Sequence, residues 1–207
     1  MDVAREPVQD SVVTQHVLLT MALEIEAQGL FAAHETDVIF TGLGKVNAAY
    51  RLTRRLAELR ARGIERPLVL NLGTAGSRRF ATGSLIACRR FVQRDMDVSG
   101  LGFAVGETPF DGDVPAELEF PETFAGLPHG VCATGDRFEA HDQTLPWDVI
   151  DMEAYAFAKV CWLEKLPFAC AKYISDGADG SAAGDWEASL PGAAREFRTL
   201  YERLKSG

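Results

Sequence analysis

Three carboxylates and one ammonium stand where the surrounding sequence is apolar. Glu153 opens the segment DMEAYAFAKVC (Asp151–Cys161), Asp176 follows the run FACAKYI (Phe168–Ile174), and Glu26 follows the first apolar run of the chain. Burial disfavours the charged form of a carboxyl group and raises its pKa, which equips it to hold and transfer a proton. The fourth group, Lys172, lies inside the run that precedes Asp176. A lone buried ammonium is costly, so Lys172 predicts an ion pair with Glu26 or Asp176 unless it snorkels to the sheet edge. Glu24 and Glu26 have a plainer reading, negative charge at a helix start, and period alone does not say which of the two turns inward.

These groups need elements to hold them. Phe168–Ile174 is a near-continuous apolar run of strand length, as found where both faces of a sheet are covered. The preceding segment is apolar on nearly every side, as a core helix is, with Asp151 as its predicted N-cap and Pro167 beyond its end. Upstream, strands are predicted at His16–Leu23, Asp37–Gly44, Pro67–Gly76 and Gly130–Phe138, with a longer, bent one at Ser84–Val98. A helix over Val46–Arg62 carries Ala49, Leu52, Leu56 and Leu59 on one stripe and stops at Gly63, and a last helix covers Asp185–Lys205 with Pro191 and Gly192 weakening its start. Residues 99–129, rich in Gly, Pro and acids, read as an ordered loop. Strands alternating with helices give an α/β domain with a mixed, mainly parallel sheet covered on both sides, and ligands of such sheets bind at the strand ends.

Composition narrows the function. A chain of 207 residues suffices for one domain with a proper core, and a net charge of −9 argues against general affinity for nucleic acid or an anionic membrane surface. No apolar run reaches membrane-spanning length. The four cysteines fall singly in apolar runs without metal-like spacing, which predicts reduced core thiols, no metal and a cytoplasmic protein. The polar residues 1–14 read as a flexible lead-in rather than a targeting sequence.

Gly42-Leu43-Gly44 between a strand and a helix resembles half a dinucleotide fingerprint, but the next strand carries Asn71 and Leu72 where an acidic ribose ligand belongs. A tight strand-to-helix turn fits as well, and no cofactor is expected. The four histidines are scattered, and the pairs Arg78-Arg79 and Arg89-Arg90 read as solvated.

Taken in order, TGLGKVNAA, NLGTAG, RDMDV, TGDRF, DMEAYAFAKVC and KYISDGAD resemble the nucleoside phosphorylase/nucleosidase superfamily, and within it the 5′-methylthioadenosine/S-adenosylhomocysteine nucleosidase branch. The likeness runs over about residues 16–204 and implies a three-layer αβα sandwich, a purine nucleoside as ligand and a homodimer. It implies that Asp176 protonates purine N7 with Ser175 beside it, that Glu26 activates water near Thr74, and that Glu153 holds the ribose hydroxyls. Met152 then packs on the sugar, Phe138 stacks on the base, and Lys172 belongs to the substrate site. Breaking an N-ribosidic bond generates an oxocarbenium-like sugar and an anionic purine, and this pair of carboxyl roles answers both charges.

Departures from the branch are Lys172 in place of Arg, Glu139 in place of an apolar residue, and a shortened segment at 113–130 without a helix. Phosphorylase branches hold phosphate with an Arg where Asn71 stands, and TMALEIEA lacks the Gly and Arg used there as well. Hydrolysis of an adenine-type nucleoside to base and sugar is therefore the leading expectation. A nucleoside phosphorylase is the runner-up, and a catalytically silent nucleoside-binding protein on the same fold the third.

Overall fold

The computed structural model describes residues 15–31, 35–138, 147–179 and 182–206. The predicted lead-in, His34, Glu139 and His141 lie outside the described residues. The element order is β1 (Val17–Met21), α1 (Glu24–Ala27), β2 (Asp37–Phe40), α2 (Lys45–Ala61), β3 (Leu68–Gly76), β4 (Leu85–Gln93), β5 (Glu117–Glu119), β6 (His129–Thr134), β7 (Val149–Asp151), α3 (Ala154–Glu164), β8 (Phe168–Asp176) and α4 (Ala182–Ser206).

Strand parity separates two cores. In β8, Phe168, Cys170 and Ile174 face the core under α2 and α3, while Ala169 and Ala171 face the core under α1 and α4. In β3, Val69 goes to the first core and Leu68, Leu70 and Leu72 to the second. This two-residue alternation, with both faces apolar, makes a sheet between two helical layers, the three-layer αβα sandwich. The sheet is mixed. β1 pairs in parallel with β2 and β3, β3 with β8, β4 with β6, and β6 with β7. Antiparallel pairs join β4 to β8 and β5, and a single one at Gly76 and Ile150 joins β3 to β7. The strands β3, β8, β4, β6 and β7 thus close a ring of pairings, which draws their ends around one space.

The helices end where their sequences say. On α2, Ala48, Leu52, Leu56 and Leu59 form the buried stripe, and Gly63 takes a φ of +80° just beyond the end, a left-handed conformation that glycine adopts without steric cost. On α3 the chain turns at Lys165, and the Leu166 N–H closes back on the Cys161 carbonyl before Pro167. No described helix is long and apolar enough to cross a membrane.

Several boundaries differ from expectation. β4 is shorter than Ser84–Val98 and breaks register between Cys88 and Arg90, a bulge that supplies the expected bend. The loop at 99–129 contains the edge strand β5 and a 3₁₀ turn at Ser99–Leu101. Asp151 ends a three-residue strand rather than capping α3 directly. α4 starts at Ala182 and runs through Pro191, whose missing N–H leaves the Glu187 carbonyl without its helical donor.

Candidate active site

The C-terminal ends of β1, β3, β7 and β8 surround a cavity of about 470 Å³. Glu26, Thr74, Phe138, Met152, Glu153, Ser175 and Asp176 all line it. These residues span the chain from α1 to β8, and the closed ring of strands brings them together.

Glu26 is the buried member of its pair and Glu24 the exposed one. The short helix α1 turns the Glu26 carboxylate back over the end of β3. Its Oε1 accepts hydrogen bonds from the Thr74 backbone N–H at 2.9 Å and the Thr74 hydroxyl at 2.8 Å, and its Oε2 accepts from the Leu23 N–H at 3.1 Å. Three donors thus fix the orientation of this carboxyl group.

Asp176 is the last residue of β8, and it is buried. The Ser175 hydroxyl donates to its Oδ2 at 2.7 Å and the Ala178 N–H to its Oδ1 at 2.8 Å. Burial raises its pKa above the ordinary aspartate value, the two donors work against that rise, and the charges of Asp179 and Asp185 add to it. Ala178 itself sits at a φ of +51°, and the Arg78 guanidinium donates to its carbonyl at 3.0 Å, so the loop that presents this N–H is pinned in a conformation L residues rarely take. The neighbouring strand leaves no slack. A Cβ on Gly76 would lie 2.8 Å from Asp176 Oδ1 and 3.0 Å from the Ala178 Cβ. Gly76→Ala is therefore expected to displace the Asp176 carboxyl and, since misplacement by about 1 Å can cost ~10²-fold, to cut turnover by roughly that factor. Steady-state kinetics on a variant with a near-parental melting curve checks this; parental turnover would mean the carboxyl moves freely.

Glu153 stands just before α3, and its Oε1 accepts from the Gly44 N–H at 2.8 Å. The Lys45 N–H donates to Asp136 Oδ1, also at 2.8 Å. The glycine turn at Gly42–Gly44 thus spends its helix-terminal donors on two carboxylates of the protein. Burial and then the Asp151 charge push Glu153 up to about 8, against the pull of Lys172 and the Gly44 N–H. Phe138 lies at the rim, 48% exposed, and Met152 is half-buried in the wall.

Lys172 departs from expectation. Its partner is neither Glu26 nor Asp176 but Asp151, with Nζ 2.8 Å from Oδ2. Parity is the reason: Lys172 shares the β8 face of Cys170 and Ile174, beneath α3, and Asp151 sits at the head of that helix. Nor does Lys172 line the cavity; its side chain is 2% exposed, behind the wall. Asp151 Oδ2 also accepts from the Ala154 N–H at 2.8 Å and the Glu153 N–H at 3.3 Å, and its Oδ1 accepts the Thr134 hydroxyl at 2.5 Å. Asp151 therefore serves the first turn of α3 as a cap does, although it lies outside the helix. Burial alone would depress the Lys172 ammonium, but the Asp151 charge outweighs it and holds the pKa well above the ordinary lysine value. Burial likewise opposes the charge on Asp151, and Lys172 wins, keeping its pKa low.

Sequence reasoning missed Trp186, whose spacing in the last helix shows only an apolar stripe. Its indole lines the cavity and its Nε1–H donates to the Thr74 hydroxyl at 2.9 Å. Asn71 is consumed by structure: its amide donates to the Thr20 carbonyl at 3.1 Å and its Oδ1 accepts from the Cys170 thiol at 3.4 Å. All four cysteines are buried and free.

Residues 27–205 match the family model described as Phosphorylase superfamily. A protein of Listeria monocytogenes serotype 4b (strain F2365), named 5′-methylthioadenosine/S-adenosylhomocysteine nucleosidase, is 31% identical over 202 residues, covering 86% of this chain and 84% of that one. Among solved structures, the nucleosidase of the same name from Neisseria meningitidis, in complex with methylthio-immucillin-A, superposes with a TM-score of 0.76 at 23% identity, over 93% of this chain and 100% of that one. Futalosine hydrolase of Helicobacter pylori strain 26695 gives a TM-score of 0.77 at 22% identity, over 94% of this chain and 98% of that one.

Proposed function

The chain belongs to the phosphorylase superfamily, and on that premise we propose that it is a purine nucleosidase, hydrolysing the N-ribosidic bond of an adenine-type nucleoside to free base and sugar. The observation that carries the reading is the pairing of two unlike carboxyl groups on one strand end. Glu26 is anchored at Thr74 and Asp176 packs on Gly76, two positions along β3 and hence about 6.6 Å of strand apart. Asp176, its pKa raised, gives its proton to N7 of the leaving purine, while Glu26 takes a proton from the attacking water. Glu153 hydrogen-bonds the ribose hydroxyls, which as donors favour its carboxylate form against the rise that burial gives its pKa. Phe138 covers the base from the rim and Met152 the sugar. The apolar wall of Leu23, Leu43 and Trp186 suits an uncharged thioether at the 5′ position, the group named for the Listeria and Neisseria relatives.

Hydrolysis is favoured over phosphorolysis by charge. Among the described lining residues, Arg137 is the one cation, beside Glu26, Asp151, Glu153, Asp176 and Glu187. A phosphate dianion has little to hold it there, and Asn71 offers no substitute. A nucleoside panel assayed with and without phosphate decides. Free ribose sugar supports the reading, ribose 1-phosphate the phosphorylase, and no turnover a binding protein.

The reading extends to a cytoplasmic homodimer. Four reduced thiols fit the compartment. Phe110 is 94% exposed and pairs edge-on with Phe103, on the loop that also exposes Leu101, while Val46 and Tyr50 lie bare on α2. Apolar exposure on this scale marks a surface that a neighbour covers. Light scattering at micromolar concentration is expected to give twice the chain mass of 22.6 kDa, and a monomer would refute the dimer.

A further inference from the structure

The Trp186–Thr74–Glu26 contact has a direction. An indole N–H only donates, so the Thr74 oxygen must accept from it. The Thr74 hydroxyl owns one proton, and the neighbour in line to receive it is Glu26 Oε1 at 2.8 Å. We propose that Trp186 is a positioning residue for water activation: its indole N–H locks the Thr74 hydroxyl proton onto Glu26, so that Thr74 meets the attacking water as an acceptor. The inference rests on the reading of Glu26 as the group that activates water.

The chemical consequence follows from counting lone pairs. A hydroxyl oxygen has two, and the indole occupies one of those on Thr74. The other remains open beside the Glu26 carboxylate. A water seated there points one hydrogen at Glu26 and the other at Thr74, which leaves its own lone pairs free for the anomeric carbon. In the step itself the water oxygen bonds to that carbon as the C–N bond breaks. One water proton passes to Glu26, the second stays on the new sugar hydroxyl, and the bonding electrons leave with the purine as it receives the Asp176 proton. Without the indole N–H, the Thr74 hydroxyl is free to rotate and donate to the water, tying up the lone pair that must attack. Trp186 is placed to exert this control because it sits near the start of α4, where that helix packs across the ends of the strands. Its ring faces the cavity, and the Ser189 hydroxyl holds its carbonyl at 2.7 Å.

Trp186→Phe keeps the ring and removes the donor. It is expected to lower kcat about 5–10-fold, the order of one net hydrogen bond, with KM within about twofold. Thr74→Val removes the hydroxyl that Trp186 acts through, so adding Trp186→Phe to it should change kcat no further. Equal losses in both backgrounds, or a rise in KM at unchanged kcat, would make Trp186 a wall residue and overturn the inference. A second readout needs no turnover. In a ¹H–¹⁵N spectrum of the intact protein, the indole signal lost in Trp186→Phe is expected to move in Thr74→Val, and an unmoved signal overturns the inference as well. If the parent protein hydrolyses no nucleoside, the functional reading fails through that assay, while the spectrum still decides whether the indole directs Thr74.

Discussion

Asp176→Asn is expected to lower kcat by ~10²–10⁴-fold, the usual worth of general acid catalysis, while nucleoside affinity survives. The surroundings make this substitution clean. An asparagine Oδ1 keeps the hydrogen bond from the Ala178 N–H, and the Ser175 hydroxyl, now donating to Oδ2, can rotate to accept from the new amide instead. Shape and loop geometry are retained, and the transferable proton is lost. Stability separates this role from simple capping of the turn at Gly177. Because burial, helped by Asp179 and Asp185, raises the Asp176 pKa in the folded state, the native protein binds that proton more tightly than the unfolded chain does. Its contribution to stability is then complete below the unfolded pKa and lost as pH rises through the folded one. At neutral pH the asparagine variant should melt at the parental temperature or slightly above it. A capping residue would show the reverse pattern, a lower melting temperature with turnover intact. Near-parental turnover removes Asp176 from the mechanism.

The same pKa direction sets the alkaline limb of the rate profile. Asp176 works as an acid only while protonated, so kcat/KM is expected to fall as pH rises through its raised pKa, and the fall should vanish from the residual activity of Asp176→Asn.

What the sequence disclosed followed from periodicity, and what it hid followed from short elements. The apolar runs of β3 and β8 were legible because both faces of each strand are buried, and the stripe Leu52, Leu56, Leu59 was legible because α2 has one solvated side. Strand β7 has three residues, too few to show a period, so the sequence shows Asp151 as a cap of α3, which its side chain does serve, and not as a strand end that meets Lys172. Its demand for a carboxylate was visible in its position, and its face was fixed by parity with Cys170 and Ile174. Among residues legible as strand ends, Glu26 and Asp176 offer it a carboxylate, and Asp151 is not legible as one. The choice between Glu24 and Glu26 was equally closed to periodicity, because a four-residue helix shows no stripe. Trp186 matched the apolar spacing of α4, and nothing in that spacing reports that its nitrogen meets Thr74 across 112 positions of chain.

Lys172→Met is expected to destabilise the fold by about 3–5 kcal/mol, the cost of breaking a buried ion pair from one side. For a chain of this size that is a loss of roughly 10 °C in Tm. The Asp151 carboxylate would remain buried with only the Thr134 hydroxyl and the Glu153 and Ala154 N–H groups for support, which places the loss toward the lower end. Catalysis should fall too. Lys172 now opposes the upward push on Glu153, and without it Asp151 acts on Glu153 uncompensated at the mouth of the sugar site. The sign of the pH dependence distinguishes this account from lost packing. In the parent, Asp151 has a depressed pKa, so the stability it contributes is present above its unfolded value and lost as pH falls through the folded one. In Lys172→Met the stranded carboxylate gains by taking up a proton, so acidification from pH 8 to about 5 should narrow the Tm gap to the parent. Adding Asp151→Asn removes the orphaned charge while keeping an acceptor for the Ala154 N–H, and should recover more than half of the lost stability. A Tm gap constant across that range, together with no recovery in the double variant, would show that Lys172 matters for its methylenes and not for its charge.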